Sequence, residues 1–313
     1  MRILRDLPVV EFVGFHDHNV ARAAEIASTL GVRAWDALEP MLDAVDAVSV
    51  VVPTTAHHRV ALAALARGKH TFVEKPITVT LEEADALVEA AARAGVVLQT
   101  GHVERFNRAI RAALPHVDRP RFIESDRLAP FTPRGADVAV VLDLMIHDID
   151  LVSTLVGAAV TDVHAVGVPV LTSTVDIANA RLHFADGAVA NITASRVSRD
   201  RLRKLRIFQP SGYLSLDLGA GTGEFYRLRD ELDLAAMASA PQALENFVER
   251  VPLDAPEGEP LGLELTAFID AVTGRAPVAV SGADGRAALA VALRIVQEID
   301  RALPALRGDA VLQ

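Results

Sequence analysis

The sequence of 313 residues contains no cysteine, which excludes a disulfide framework and any metal site built on thiolates. It also lacks an apolar run near the roughly 20 residues that a membrane-spanning helix needs. Arg2, Arg5 and Asp6 interrupt the apolar pattern at the start, which does not fit a secretory signal, so we expect a cytoplasmic protein. Basic residues are in deficit, and the formal net charge of −10 argues against general nucleic-acid binding.

The first part of the chain alternates short apolar runs with helical segments. We predict strands at residues 9–15, 47–52, 71–73 and 96–99, and helices at Val20–Leu30, 60–67 and Leu81–Ala94. Helices of this length between strands predict an α/β fold with a parallel, doubly wound sheet. Because 313 residues exceed the usual size of one hydrophobic core, we expect this domain to cover residues 1–118 and a second domain to follow.

Beyond about residue 120 the pattern changes to that of an α+β domain, which we place at residues 119–313. A helix is predicted at residues 138–156, and two further helices at 261–272 and 286–303. Apolar and polar residues alternate on both sides of Asp186-Gly187 and again around residues 210–212, which predicts two antiparallel hairpins. Each hairpin has one apolar face, so the sheet should be open on its other side.

Glu74-Lys75-Pro76 places two opposite charges at the end of the predicted strand 71–73. Ligands bind at the carboxyl ends of strands in open parallel sheets, so Lys75 is a candidate for chemistry. A solvated surface ion pair is the alternative explanation of this tripeptide.

Other polar residues follow the predicted strands and could contact a dinucleotide. Asp17 lies where a carboxylate would accept hydrogen bonds from the adenosine ribose, which favours NAD over NADP. Pro53, Thr54 and His57 follow the valine-rich strand, near where a cofactor would cross the sheet. Helix capping is the alternative role for Asp17 and Thr54.

Asp143 and His147 are spaced i,i+4 and therefore share one face of the predicted helix. The carboxylate could orient the imidazole and raise its basicity, although a purely structural contact is the alternative. A metal site is not expected, because the neighbouring acids do not have zinc-ligand spacing and no third ligand can be nominated.

The chain has one dense basic cluster, which could clamp a diphosphate through bidentate hydrogen bonds. Its members are Arg196, Arg199, Arg201, Arg203, Lys204 and Arg206. Strand alternation predicts Lys204 and Arg206 on one face. A solvated strand edge that charge protects from aggregation is the alternative.

Five motifs in this order resemble the Gfo/Idh/MocA family of nicotinamide-dependent sugar oxidoreductases over essentially the whole chain. They are Asp17, Val50-Val51-Val52-Pro53-Thr54 with His57, Glu74-Lys75-Pro76, Gly101-His102 through Arg105-Phe106-Asn107, and Asp143 through His147. The resemblance implies a Rossmann domain, a second α/β domain whose open sheet forms a dimer interface, and substrate bound between them over the nicotinamide.

The same resemblance implies roles for individual residues. Lys75 looks like the catalytic lysine, and Asp143 and His147 look like the family's Asp-x-x-x-His pair. Glu74, Lys75 and His102 are expected at the cofactor, and Arg105, Asn107, Arg201 and Lys204 at the substrate. The segments around Arg105, residues 128–131 and 143–150 are most similar to the branch that oxidises the 3-hydroxyl of UDP-N-acetylglucosamine to a 3-keto sugar.

One departure concerns the N-terminus. Family members begin with a strand and a Gly-x-Gly-x-x-Gly turn, whose backbone amides hold the cofactor pyrophosphate. This sequence opens at a stretch that matches the helix after that turn. We interpret this as a start codon assigned too far downstream; a truncation, or a divergent protein that has lost cofactor binding, are the alternatives.

Three functions follow from these patterns. The first is NAD-dependent oxidation of a nucleotide sugar by a homodimer or homotetramer, and the second is dehydrogenation of a free sugar, an inositol or another cyclic polyol. The third, from a different class, is a catalytically silent dimeric binding protein.

Overall fold

The computed structural model describes residues 1–133, 135, 138–228 and 248–308, with the backbone alone over residues 303–308. The chain forms two compact units. The first comprises Met1–His102 and Leu261–Arg286, and the second comprises Val103–Pro260 and Ala287–Gln313. In the described part, no helix combines the length and the apolar character that crossing a membrane requires.

The α-helices are α1 Arg2–Asp6, α2 Val20–Leu30, α3 Leu38–Asp43, α4 Thr54–Leu65, α5 Leu81–Ala94, α6 Arg108–Ala113, α7 Ile146–Val156, α8 Pro260–Val272 and α9 Gly282–Gly308. The strands are β1 Ala47–Val50, β2 His70–Glu74, β3 Leu98–Gly101, β4 Phe122–Leu128, β5 Val160–Val168, β6 Ile177–Phe184, β7 Val189–Ser195, β8 Leu202–Gln209, β9 Gly212–Asp217, β10 Thr222–Leu228 and β11 Val248–Leu253. Short 3-10 turns cover Val103–Phe106 and Leu114–His116, and a π-helical turn covers Val141–Met145.

The first unit is built on the parallel sheet β1-β2-β3, with β2 in the middle. Phe72 of β2 packs edge-on against Phe268 of α8, with ring centroids 5.8 Å apart. The helix ends follow their sequence signals. Thr80 and Glu83 form a capping box at the start of α5, and Gly95 ends that helix in the left-handed conformation.

Two sequence expectations differ in this unit. Residues 9–15 do not form a strand, since within the described residues only Phe15 makes a bridge, to Ala34. Phe15 accepts the Trp35 N–H at 2.8 Å and donates to the Arg33 carbonyl at 3.0 Å, which accounts for that single pairing. β1 ends at Val50 rather than at residue 52, and Val51 is 67% exposed.

The second unit is an eight-stranded sheet in the order β11-β10-β9-β8-β4-β7-β6-β5. Its strands are antiparallel except for the parallel pair β4–β7. Along β4, β6 and β7, buried residues alternate with more exposed ones, so one face packs against α7 and α9 and the other is open. The two predicted hairpins are confirmed as β6–β7 and β8–β9.

The predicted helix at residues 138–156 is partly wrong, because Val141–Met145 is a π turn that leads into α7. A helical hydrophobic pattern fits both turns, so the sequence cannot distinguish them. The domain boundary predicted after residue 118 falls inside the second compact unit, because α6 and the turn Val103–Phe106 pack against elements of that unit.

Candidate active site

In the first unit, β2 delivers Glu74 and Lys75 to its C-terminal end, as the sequence predicts. The Lys75–Pro76 peptide bond is cis, and Glu74 accepts a hydrogen bond from the Lys75 N–H at 3.2 Å. The neighbouring strand ends in Gly101, where a Cβ would lie in tight contact with Glu74 Oε2, at 3.0 Å. The charged pair therefore sits in a tightly packed strand end.

His57 is buried beside this strand end, and both ring nitrogens lie against backbone carbonyls. Nδ1 is 2.9 Å from the Pro76 oxygen and Nε2 is 2.8 Å from the Val52 oxygen. His57 thus bridges the segment that follows β1 and the segment that follows Lys75. The sequence places His57 at the cofactor, whereas its contacts give it a positioning role, because both polar ring atoms already face carbonyls.

The first turn of α4 is open to a ligand. Pro53 is its exposed N-cap residue and supplies no side-chain cap, so the capping role considered for Thr54 does not occur. Thr54 is the first helical residue and is half-buried. Backbone N–H groups at such an end attract anions.

Asp17 does not cap α2, since Asn19 fills that role by accepting the Arg22 N–H. Asp17 instead accepts the Asn19 N–H at 2.9 Å and stays 23% exposed, with Arg22 Nε 3.8 Å away. A partly exposed carboxylate of this kind fits the ribose hydroxyls of a dinucleotide. His102, which the sequence also places at the cofactor, is buried directly after β3.

In the second unit, the π turn carries Asp143, and His147 lies in the first turn of α7. Both side chains are half-buried. π turns are rare in proteins and are frequent at functional sites. Asp143 therefore lies in a π turn and His147 in an α-helix. The i,i+4 spacing in the sequence does not indicate this change of helix type.

Next to His147, Asp148 anchors α7 to β4 through a buried network. Its carboxylate accepts Arg127 Nε at 2.6 Å and Ser125 Oγ at 2.9 Å, and Arg127 also donates to Glu104 at 2.8 Å. Burial acts to lower the pKa of Arg127, but the carboxylates of Asp148 and Glu104 outweigh it and raise that pKa above its ordinary value. Arg127 is thus a fixed cation beneath this part of the site.

Two residues that the sequence places at the substrate also make contacts within this scaffold. Arg105 forms a bidentate pair with the buried Asp150, at 2.8 and 2.5 Å. Asn107 caps α6 by accepting the Ala109 N–H, and its amide donates to Glu104 and to the Leu218 carbonyl. These contacts use polar groups of both residues inside the fold, and their contact with a substrate stays a prediction.

The basic cluster divides between the two faces of the sheet. Lys204 and Arg206 share the open face, as predicted, where Lys204 pairs with Asp217 at 2.7 Å and Arg206 with Glu124 at 2.6 Å. The Lys204 hydrogen bond holds the pKa of Asp217 below its ordinary value. Lys204 therefore forms a cross-strand ion pair, and its contact with a substrate stays a prediction.

Three other members of the cluster, Arg196, Arg201 and Arg203, line a cavity of about 180 Å³ on the helix side of the sheet. Its lining includes Asp143, Leu144, Arg127, Arg196, Arg201, Arg203 and the turn 128–130. Arg203 Nη1 is 3.5 Å from Glu104, and Arg201 is exposed with no hydrogen bond or ion pair to the described residues. The predicted Arg201 and Asp143 thus border one cavity.

Sequence reasoning missed Arg127 and Glu104. The available signal was Arg127 on the buried side of an alternating strand, after Ile123 and Ser125, where an arginine requires buried partners. Within the described ranges, no group of three potential metal ligands occurs.

Comparison with known proteins agrees with this architecture. Residues 2–102 match the sequence model of the oxidoreductase family with an NAD-binding Rossmann fold, and residues 108–215 match the GFO/IDH/MocA C-terminal domain. The UDP-N-acetylglucosamine 3-dehydrogenase of Acidithiobacillus ferrooxidans is 39% identical over 92% of this chain and 89% of its own. A solved structure of that enzyme superposes with a TM-score of 0.85 at 38% identity, covering 94% of this chain and 91% of its own.

Inositol enzymes are also related. The scyllo-inositol 2-dehydrogenase (NAD(+)) of Bacillus subtilis is 32% identical over 63% of each chain. Both relatives are named as dehydrogenases of a sugar or a polyol. The chain therefore belongs to the Gfo/Idh/MocA family of NAD-binding oxidoreductases.

Proposed function

We propose that the protein oxidises the C3 hydroxyl of UDP-N-acetylglucosamine to a 3-keto sugar, with NAD as the hydride acceptor. The observation that carries this proposal is the cavity in which Asp143 lies beside Arg201 and Arg203. Such a cavity offers a carboxylate to a sugar and guanidinium groups to a diphosphate. The 39% identity to a dehydrogenase of this nucleotide sugar supports the same choice.

Arg201 and Arg203 are the proposed contacts for the diphosphate. Arg127 and Arg196 also line the cavity, but their side chains are only 4% and 5% exposed and lie within 4 Å of the buried Asp148 and Asp176 respectively. Arg201 is exposed, and Arg203 keeps 39% of its side chain accessible. These two cations therefore have donors available for phosphate oxygens, which arginine binds in a bidentate way.

On the cofactor side, Asp17 would accept the ribose hydroxyls, and the first turn of α4 would face an anionic group. NAD, when bound, supplies the acceptor for the hydride that leaves C3. Lys75 or His147 would take the hydroxyl proton, while the other donates a hydrogen bond to the developing carbonyl oxygen. Asp143 would orient the His147 ring and stabilise its charged form.

We also propose that the protein assembles as a homodimer or homotetramer through the open face of the second unit's sheet. Four half-buried aromatic rings cross that face in a row, one each from β4, β8, β9 and β10: Phe122, Phe208, Tyr213 and Tyr226. Successive ring centroids lie 4.8–5.6 Å apart. A contiguous aromatic surface of this kind suits a contact between copies.

The central test is NAD reduction by the purified protein with UDP-N-acetylglucosamine, other UDP-sugars, free N-acetylglucosamine and scyllo-inositol. Turnover with the nucleotide sugar and product analysis showing a ketone at C3 are expected. Turnover with scyllo-inositol but with no UDP-sugar would instead favour dehydrogenation of a free polyol, as the names of the inositol relatives suggest. A protein that shows no NAD binding by calorimetry would instead be the silent binding protein.

Arg201→Met tests the diphosphate contact. Losing one charge-assisted hydrogen bond costs about 1.5–3 kcal/mol, so KM for the nucleotide sugar should rise by at least about 10-fold. The matched control is Arg93→Met, because Arg93 lies exposed on α5 and pairs with Glu89 at 3.3 Å. Equal KM values for the two variants would remove Arg201 from the binding site.

A further inference from the structure

Arg196 is a buried arginine directly after β7 whose guanidinium spreads over three backbone carbonyls. Nη1 donates to Gly135, and Nη2 donates to Val138 and, at 3.4 Å, to Val175. Only 4% of the residue is exposed. These carbonyls belong to the segment before the π turn and to the segment before β6, so one side chain joins the two.

Asp176 holds Arg196 from the other side. It is fully buried, and its Oδ2 accepts the consecutive N–H groups of Val170, Leu171 and Thr172 at 2.7–2.8 Å. Its Oδ1 lies 3.6 Å from Arg196 Nε. Burial alone would raise the pKa of Asp176, but these N–H donors and the Thr172 hydroxyl lower it below its ordinary value.

One of the residues whose carbonyl Arg196 binds, Gly135, lies next to the Asp143 side chain. Gly135 has φ +75°, and a Cβ there would lie 3.0 Å from Asp143 Oδ2 and 3.3 Å from its Cγ. The backbone of Gly135 therefore packs closely against the Asp143 carboxylate and leaves little room for a side chain at position 135. Val175, whose oxygen Arg196 contacts, also accepts the Val140 N–H at 2.9 Å, immediately before the π turn.

We propose that Arg196, held by Asp176, is a positioning residue that fixes the Asp143 carboxylate through Gly135 and through the residues preceding the π turn. The role rests on the proposed function, in which Asp143 orients His147. Without the hydrogen bond from Arg196, the Gly135 backbone can move away from the Asp143 carboxylate. Releasing Val138 and Val175 loosens the backbone from which the π turn starts.

Arg196→Lys is the first test, because lysine keeps the charge but cannot bind three carbonyls in one plane. We expect kcat to fall by about 10- to 100-fold, the range that a shift of up to about 1 Å produces, with KM for NAD unchanged. The matched control is Arg93→Lys, at an exposed position on α5, which should leave kcat unchanged. A merely structural role would lower the melting temperature and leave kcat per folded molecule intact, and that result would overturn the proposal.

A double-mutant cycle isolates the path through Asp143. In an Asp143→Asn background, Arg196→Lys should cause no further loss of kcat, because the group it positions is gone. Gly135→Ala, which places a methyl group against the carboxylate, should lower kcat by a similar factor while the Arg196 side chain itself is kept. An Arg196→Lys effect of full size in the Asp143→Asn background would contradict the proposal.

Hydrogen exchange gives a readout that needs no turnover. In Arg196→Lys the amides of residues 138–147 should exchange faster, while β6 and β7 keep wild-type rates. Unchanged exchange in that segment would overturn the proposed positioning whatever the kinetics show. If the wild-type protein oxidises no sugar, the proposed function fails, and the exchange data still decide whether Arg196 holds the π turn.

Discussion

At the scale of single residues, the scarcity of lysine is informative. The chain has 31 basic residues, of which only Lys69, Lys75 and Lys204 are lysines. Arginine stays charged throughout the accessible pH range, whereas lysine can accept and donate a proton. Lys204 pairs with Asp217, and Lys75 stands at the end of β2, where the proposed function gives it a part in the reaction.

Lys75→Met should abolish turnover while NADH binding persists. The substitution keeps the side-chain length but removes the group that exchanges a proton, so the loss should appear in kcat. Binding can be followed by energy transfer from Trp35, the chain's single tryptophan, to NADH. Lys69→Met is the matched control in the same unit. If Lys75→Met turns over as fast as Lys69→Met, the assignment of Lys75 is wrong.

At the scale of the elements, local signals predicted the backbone better than they predicted side-chain contacts. The capping box and the glycine at the ends of α5, and the Asp186-Gly187 turn between β6 and β7, act within a few residues and could be read from the sequence. The role of Asn107 depends on Leu218, 111 positions away. The sequence gives no such distances, so Asn107 and Arg105 were expected at the substrate.

Arg127→Met should destabilise the second unit by about 3–5 kcal/mol, because Asp148 and Glu104 would keep buried charges without their cation. The expected fall in melting temperature is on the order of 10 °C. Arg93→Met is the exposed comparison, since its pair with Glu89 lies on the surface of α5 and should contribute at most about 1 kcal/mol. Equal shifts for the two variants would show that the buried network does not hold α7 to β4.

The junction between β2 and β3 should be sensitive to acid through His70. Its Nδ1 accepts the Val97 N–H at 3.0 Å, which requires the neutral ring, and burial lowers the pKa of His70 despite Asp46. A depressed histidine pKa gives stability that is present above the unfolded value of about 6.5 and is lost as pH falls through the folded pKa.

His70→Asn should therefore flatten the dependence of the melting temperature on pH below about 6.5. Asparagine can place a non-titrating oxygen near the position of Nδ1, so the hydrogen bond from Val97 persists in acid. The effect should not exceed about 1 kcal/mol, the contribution of one hydrogen bond. An identical pH dependence for the variant and the wild type would assign the acid sensitivity elsewhere.

At the scale of the whole molecule, the sequence predicted the order of the two folds because the motifs recur in the order of the elements that carry them. It did not predict that residues 261–286 return to the first compact unit. That return depends on long-range packing, such as Phe268 of α8 against Phe72 of β2. A helical period alone does not specify which core a helix joins.

Assembly is the remaining property of the whole molecule, and the open sheet makes it testable. Tyr213 lies inside the aromatic row, stacked on Phe208 at 4.8 Å and on Tyr226 at 5.5 Å. Light scattering should give the wild type at least twice the 33.4-kDa mass of one chain. Tyr213→Arg places a charge within the apolar row, so it should reduce the assembly to single chains that remain folded by circular dichroism.

Glu39→Arg is the matched control, because it also introduces an arginine but lies exposed on α3 of the first unit. It should retain the wild-type mass. One self-complementary face closes a twofold dimer and is then used up, so a mass of four chains would require a second interface. In that case Tyr213→Arg should yield dimers held by the other interface, whereas a wild type that scatters as one chain would refute assembly through this sheet.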